Sequence, residues 1–258
     1  MTPLLTGILT EIGPAALAVS GGIDSLTLAA IAVPQSPESR VFHAVSPAVP
    51  RAATERVRQL AMQLGWPLTI LDAKEFSNSN YRSNPINRCF YCKNNLYNAL
   101  SKHSSLPILS GTNLDDLQDF RPGLKAASLK NVRHPFVEAG IGKDQIRELA
   151  RKAGLGDLAD LPASPCLSSR ITTGLRIEPD QLNRIEKIEA ALHAVYPGID
   201  VRCRLRPEGY QIEFDAEELA TICSSTLSSL AQPFLGPGDT LLPTIPYQRG
   251  SAFLTETG

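Results

Sequence analysis

The chain has 258 residues, 43% hydrophobic and 20% charged, with a formal net charge of -1. That composition is ordinary for a soluble globular protein and supplies a core for one large domain or for one domain with a smaller companion. The balanced charge argues against indiscriminate nucleic-acid binding, and no apolar run reaches the ~20 residues of a membrane span.

The first residues, MTPLLTGILTEIG, carry no basic signal-peptide region and read as a short helix. Ala15 to Val19 is an apolar run of strand length, and Ser25 to Val33 is a small, apolar helix candidate. Between them lies Ser20-Gly21-Gly22-Ile23-Asp24-Ser25. Glycine reaches positive φ freely, so the pair lets the backbone turn and present successive N–H groups toward the amino end of the next helix, where an anion is favoured. Ser20 and Ser25 add hydroxyl donors. Asp24 would repel a phosphate unless a cation lay between them, which implies Mg²⁺ bridging Asp24 and a polyphosphate. No lysine follows, so this is not a Walker loop.

Arg40 to Ser46 reads as a second strand, Ala52 to Leu64 as a helix, and Pro67 to Leu71 as a third strand. Asp72 to Asn87, with four asparagines among its last ten residues, reads as a surface loop delivering Cys89 and Cys92 to the start of a helix ending near Lys102. Leu106 to Gly111 is a fourth strand, followed by Gly111-Thr112-Asn113-Leu114-Asp115-Asp116, a second small and acidic loop expected beside the first. Pro122 opens a helix, Val132 to Phe136 reads as the last strand, and Gly142 to Ala153 as an amphipathic helix. This alternation indicates βαβ units on a parallel sheet, whose ligands sit outside the carboxyl ends of the strands. From Leu155 to Gly174 the regular pattern breaks. Beyond it come a helix from Pro179 to Val195, a hairpin from Val201 to Leu205 and Tyr210 to Phe214, a helix from Asp215 to Leu230 and a final extended segment. The expected fold is thus an α/β parallel-sheet domain over 1–160, a linker over 161–174 carrying Cys166, and a small α+β domain over 175–258.

Five cysteines, an odd number and without an export signal, suggest a reducing cytoplasm, where thiols serve metals or catalysis. Cys89 and Cys92 share one side of a helix start, and Cys166 follows in the linker. Three thiolates suit a 4Fe–4S cluster with one open iron; a zinc site completed by His103 or His134, a redox disulfide and unrelated buried thiols are the other readings. Cys203 and Cys223 are assigned no chemistry.

The loop SGGIDS after a strand resembles the PP-loop of the ATP pyrophosphatase superfamily, whose domain is of the adenine nucleotide alpha hydrolase type. Together with NPINRCFYCK (84–93), GTNLDDLQDFRPG (111–123), SPCLSSRI (164–171), RIEKIE (184–189) and YQRGSAF (247–253), it resembles the ATP-dependent sulfur transferases of the LarE type over nearly the whole chain. The resemblance implies an enzyme of nickel-pincer nucleotide biosynthesis. Using Mg²⁺ and ATP, it adenylates a carboxylate of pyridinium-3,5-biscarboxylic acid mononucleotide, releasing pyrophosphate, then replaces AMP with sulfur to give a thiocarboxylate.

Members with one cysteine surrender the sulfur of the residue matching Cys166. Members with three carry a 4Fe–4S cluster, and Cys89, Cys92 and Cys166 align this chain with them. The resemblance also implies ATP and Mg²⁺ binding by Ser20, Gly21, Gly22, Asp24 and Ser25 with Gly111, Thr112, Asn113 and Asp116. It implies a carboxylate- or phosphate-holding role for Arg170 beside Cys166, and substrate or phosphate binding by Glu189, Arg202 and Glu213. Family members form hexamers, so a homo-oligomer is expected, with a small nucleotide as the partner and no membrane. The family ending GYRxGSMN is only partly kept in Pro246 to Phe253. Competing functions are an amidotransferase like NAD synthetase, tRNA thiolation using Arg202, Arg204 and Arg206 on one strand face, and a nucleotide sensor.

Overall fold

The computed structural model describes residues 2–117, 122–162, 165–220, 222, 224–248 and 251. The chain divides into two compact units, Met1–Tyr81 with Asn87–Ser164, and Arg82–Ile86 with Pro165–Gly258.

In the first unit the elements run α1 (Pro3–Ile12), β1 (Ala16–Ala18), α2 (Ile23–Gln35), β2 (Arg40–Ala44), α3 (Arg51–Leu64), β3 (Leu68–Leu71), α4 (Ser79–Arg82, whose last residue belongs with the second unit), α5 (Arg88–His103) and β4 (Ile108–Ser110). Then come α6 (Pro122–Leu129), α7 (Pro135–Glu138) and α8 (Lys143–Lys152). The four strands form one parallel sheet in the order β3-β2-β1-β4. Alternate residues of each strand face opposite sides. Leu17, Val41 and Leu109 therefore join the core built with Leu5, Leu26, Val57 and Ile146, while Ala16, Phe42 and Ile108 join Tyr97, Leu100 and Ala126. Helices α1, α2, α3 and α8 thus cover one face, and α5 and α6 the other. The connections reverse direction between β1 and β4, which makes the crevice at their carboxyl ends the ligand position of such a sheet. No helix among the described residues is long and apolar enough to cross a membrane.

One expectation for this unit is corrected. Val132 to Phe136 is not a strand: only Arg133 bridges to Leu109, and Pro135, with no N–H for a ladder, opens α7. The surface loop expected over Asp72 to Asn87 is itself ordered. The carboxylate of Asp72 and the amide of Asn78 accept the N–H groups of Lys74 (2.7 Å) and Asn80 (3.0 Å), folding two tight turns around buried Glu75 and Tyr81.

The second unit contains α9 (Pro179–Val195), β5 (Val201–Arg206), β6 (Gly209–Phe214), α10 (Ala216–Leu219), α11 (Ser224–Ala231) and β7 (Leu241–Pro246). Strands β5 and β6 pair antiparallel, and β7 adds parallel to β6. The stripe Leu182, Ile185, Ile188 and Leu192 of α9 is buried, as are Val201, Cys203, Leu205, Tyr210, Ile212 and Phe214 of the sheet. The single helix expected over Asp215 to Leu230 is two short ones. Of the segment 161–174 expected as a linker, the residues from Pro165 on group with this unit, and Leu167 to Ile171 are buried. Asn84, at φ 52°, joins them by donating its side-chain amide to Ile171 O (3.3 Å) and Thr172 O (2.9 Å) while its carbonyl accepts from Gly174 N (2.9 Å).

Candidate functional site

The turn between β1 and α2 is closed by its own serines. Ser20 N donates to Ser25 Oγ (3.1 Å), Ser25 Oγ donates to Gly22 O (2.9 Å), and Ser20 Oγ lies 3.3 Å from Gly22 N as acceptor. Ser25 therefore spends its proton inside the turn instead of offering it outward. Gly21 has φ +87°, and a Cβ there would meet Ala53 O at 2.7 Å, so both its conformation and its packing demand glycine. Gly22 begins α2 with no side-chain cap, which leaves the positive end of the helix to an anion.

The β4 loop lies against this turn. A Cβ on Gly111 would come within 2.6 Å of Ser25 N. Asn113 is fully buried and is the joint: its Nδ2 donates to Asp24 Oδ2 (3.1 Å), and its Oδ1 accepts from Asp115 N (3.0 Å) and Asp116 N (3.3 Å). Asp116 returns a bond from Oδ2 to Asn113 N (3.3 Å). Thr112 Oγ1 meets Ser110 Oγ (3.1 Å), which in turn meets His134 Nδ1 (2.8 Å). Burial lowers the His134 pKa, with Glu138 and Asp116 opposing and Lys93 assisting. The hard carboxylate oxygen of Asp24, beside an uncapped helix end, is the donor chemistry Mg²⁺ selects, so the residues fit that ion. Next along the sheet, Val45, Ser46, Pro47, Asp72, Lys74, Phe76 and Ser77 line a cavity of about 430 Å³, within the range of small-ligand sites. Glu75 is buried behind it, bonded to Ser46, and burial raises its pKa.

Cys89 and Cys92 occupy the first turn and a half of α5, exposed and half-buried, and Cys166 is exposed in the second unit. Soft thiolates are the chemistry an iron–sulfur cluster requires, but among the described residues no three Cys, His, Asp or Glu side chains gather as a metal-ligand set. Cys203 is buried, which pushes its pKa well above that of a free thiol. Cys223 lies outside the described residues.

The remaining candidates form a charge network in the second unit. Arg170 does not present its fork to a ligand. Nε and Nη2 bind Glu189 Oε1 and Oε2, each at 3.0 Å, and Nη1 donates to Pro165 O (2.8 Å) and Ser169 Oγ (3.0 Å). Burial acts to lower the Arg170 pKa, and the Glu189 carboxylate more than offsets it. Glu189 Oε1 also accepts from Cys203 N (2.9 Å). Glu213, fully buried, accepts from Arg204 Nε (3.0 Å), Arg206 Nη2 (2.9 Å) and the Ser251 hydroxyl. Arg202 stacks on Tyr247, 5.4 Å from the ring centroid. Arg204 and Arg206 are therefore committed to an internal carboxylate, not arrayed as a stripe for a nucleic-acid backbone. Arg204, Arg206 and Ser169 are structural members that sequence reasoning did not assign to this network.

No family model matches the chain. It is similar to an uncharacterised protein of Synechocystis, 33% identical over 230 residues that cover 87% of this chain and 85% of that protein. An uncharacterised protein of Methanocaldococcus jannaschii is 29% identical over 186 residues, 70% of each chain. The pyridinium-3,5-bisthiocarboxylic acid mononucleotide synthase of Lactiplantibacillus plantarum is 27% identical over 205 residues, covering 77% of this chain and 74% of the synthase.

Proposed function

We propose that the chain is a sulfur transferase of the LarE type, which adenylates a carboxylate of a pyridinium dicarboxylate mononucleotide with ATP and exchanges the AMP for sulfur; its likeness to the synthase over 77% of the chain supports this reading. The observation that carries the adenylation step is the joint at the carboxyl end of the sheet. There a glycine turn and an uncapped helix end, suited to phosphates, are bonded through Asp24 and Asn113 to a second strand-end loop.

In this reading the N–H groups after Gly21 hold the polyphosphate, and Asp24 would hold Mg²⁺, which would neutralise phosphate charge. The substrate carboxylate forms a bond to the α-phosphorus, and the bond from that phosphorus to the pyrophosphate oxygen breaks. A sulfur nucleophile then attacks the acyl carbon and AMP leaves. The homologous synthase supports the substrate class, and the cavity at the ends of β2 and β3 supports a nucleoside site beside the turn. Cys166, exposed on a turn whose backbone two arginines hold, is the residue of sulfur transfer. Cys89, Cys92 and Cys166 are the soft thiols that would hold a 4Fe–4S cluster, which would supply the sulfide.

The test follows ATP–pyrophosphate exchange and product mass with the dicarboxylate mononucleotide, in protein purified without oxygen and assayed for iron and sulfide. Expected are substrate-dependent exchange, a thiocarboxylate, and a Cys166→Ala variant that exchanges pyrophosphate but forms no thiocarboxylate. Substrate-independent behaviour would overturn adenylation; iron-free protein that still transfers sulfur would overturn the cluster.

A further inference from the structure

The first turns of α3 are fastened onto the β1–α2 turn at three points. Ala53 O is the atom a Cβ on Gly21 would strike at 2.7 Å. Thr54 Oγ1 meets His43 Nε2 at 2.9 Å, and His43 Nδ1 meets Val19 O at 2.9 Å. Arg56, three residues after Ala53 and so on the same face of the helix, donates from Nη1 to Gly21 O at 2.6 Å.

That last contact is unusual in its charge balance. A guanidinium carries five N–H donors in a rigid fork, and a carbonyl oxygen uses only one of them. Arg56 is half-buried, and among the described residues its guanidinium forms no ion pair and has no other hydrogen-bond partner. A cation partly withdrawn from water, without a carboxylate, is electrostatically incomplete. It also stands on the opposite flank of the turn from the acidic groups. Helix α3 follows β2, on one side of β1, whereas Asp24 is tied to Asn113 after β4, on the other side.

We propose that Arg56 is a further catalytic residue of adenylation: the remaining N–H groups of its fork bind the β- and γ-phosphates and neutralise pyrophosphate as it departs. The inference rests on the adenylating reading above. When the carboxylate oxygen bonds to the α-phosphorus and the bond to the bridging oxygen breaks, its electron pair stays on pyrophosphate. The extra negative charge develops there, and no proton or electron is drawn from the protein. A preorganised cation at that point stabilises the transition state more than the ground state. The Nη1 bond to Gly21 O supplies the preorganisation, since one nitrogen anchors the plane while the others stay available.

The test measures binding of inorganic pyrophosphate with Mg²⁺ by calorimetry, together with ATP–pyrophosphate exchange and thermal melting. The variants are Arg56→Ala, Arg56→Gln and Arg56→Lys. Glutamine keeps a neutral donor for Gly21 O, and lysine keeps the charge. Pyrophosphate affinity should fall by about tenfold to a hundredfold in Arg56→Ala and Arg56→Gln, with exchange falling in step, and Arg56→Lys should recover most of it. Wild-type affinity in Arg56→Gln, or equal loss in all three variants, would reduce Arg56 to a brace for the turn and overturn the inference alone. A native protein that binds neither ATP nor pyrophosphate would overturn the adenylating reading, and the inference with it.

Discussion

Gly111→Ala tests whether the two strand-end loops form one site. The added Cβ would lie 2.6 Å from Ser25 N and 2.8 Å from both Asp24 C and Ser25 Cα, where ordinary contacts begin at 3.4 Å. These are backbone atoms, fixed by the serine bonds of the turn and by β1, so no side chain can swing aside. The loops must part by roughly 1 Å, an overpacking cost of about 1–3 kcal/mol. In a protein of this size each kcal/mol lowers Tm by about 2–4 °C. The same displacement pulls Asn113 off Asp24 and should lower ATP–pyrophosphate exchange by about a hundredfold. Gly65→Ala is the control. Gly65 has φ +66° with nothing within 4 Å of a Cβ, so it should cost about 1–2 kcal/mol of backbone strain and leave exchange intact. Normal exchange in Gly111→Ala, or equal loss in both variants, would refute the idea that contact between these loops builds the site.

Three other outcomes are expected. Asp24→Asn keeps an oxygen for Asn113 Nδ2 but removes the charge, so exchange should fall by about a hundredfold or more with little change in Tm, and added Mg²⁺ should not restore it. Arg170→Met should destabilise by about 3–5 kcal/mol in urea melts by stranding Glu189, and pairing it with Glu189→Leu should regain much of the loss; no regain would contradict a buried pair as the cause. His43 is neutral in the fold because burial, aided by Arg58, lowers its pKa against the opposing bond to Val19 O. The unfolded chain takes up a proton below about pH 6.5, so the His43 contribution is full above that value and is lost as pH falls through the folded pKa, by at most about 1.4 kcal/mol per unit. His43→Asn should flatten that slope in urea midpoints measured from pH 7.5 to 5.5.

Much of the α/β order was legible because buried strands and amphipathic helices leave period-two and period-3.6 patterns in the chain. Val132 to Phe136 misled because its apolar content outweighed Pro135, whose missing N–H decides the matter. Glu189 could have been read as buried: Leu182, Ile185, Glu189 and Leu192 fall on one stripe of α9, so a carboxylate on that stripe needs an internal partner. Glu213 offers no such signal. It alternates with Tyr210, Ile212 and Phe214 and reads as the outward face of β6, yet Arg204, Arg206 and Ser251 enclose it. Arg56 was hidden for a similar reason, since only the packing of α3 on Gly21 turns a helix-surface arginine toward the β1–α2 turn.

The charge network of the second unit is better understood as a device for fixing a backbone than for storing stability. Two buried ion pairs bring little net stabilisation over apolar residues of the same volume. What they supply is position. Arg170 holds Pro165 O and Ser169 Oγ, Arg204 holds Ser169 O at 2.9 Å, and both arginines are oriented by carboxylates that are themselves buried. The segment so braced is the one that carries Cys166, while Cys203, on β5, is bonded through its N–H to the same Glu189 and shut away from solvent. One carboxylate thus helps hold an exposed thiol's turn in place and lies against a thiol that stays protonated. Lysine at 170 could keep the charge but not the fork, so Arg170→Lys should fold with Glu189 still paired and yet transfer sulfur poorly. Near-native transfer in that variant would mean that the turn needs a countercharge and nothing more.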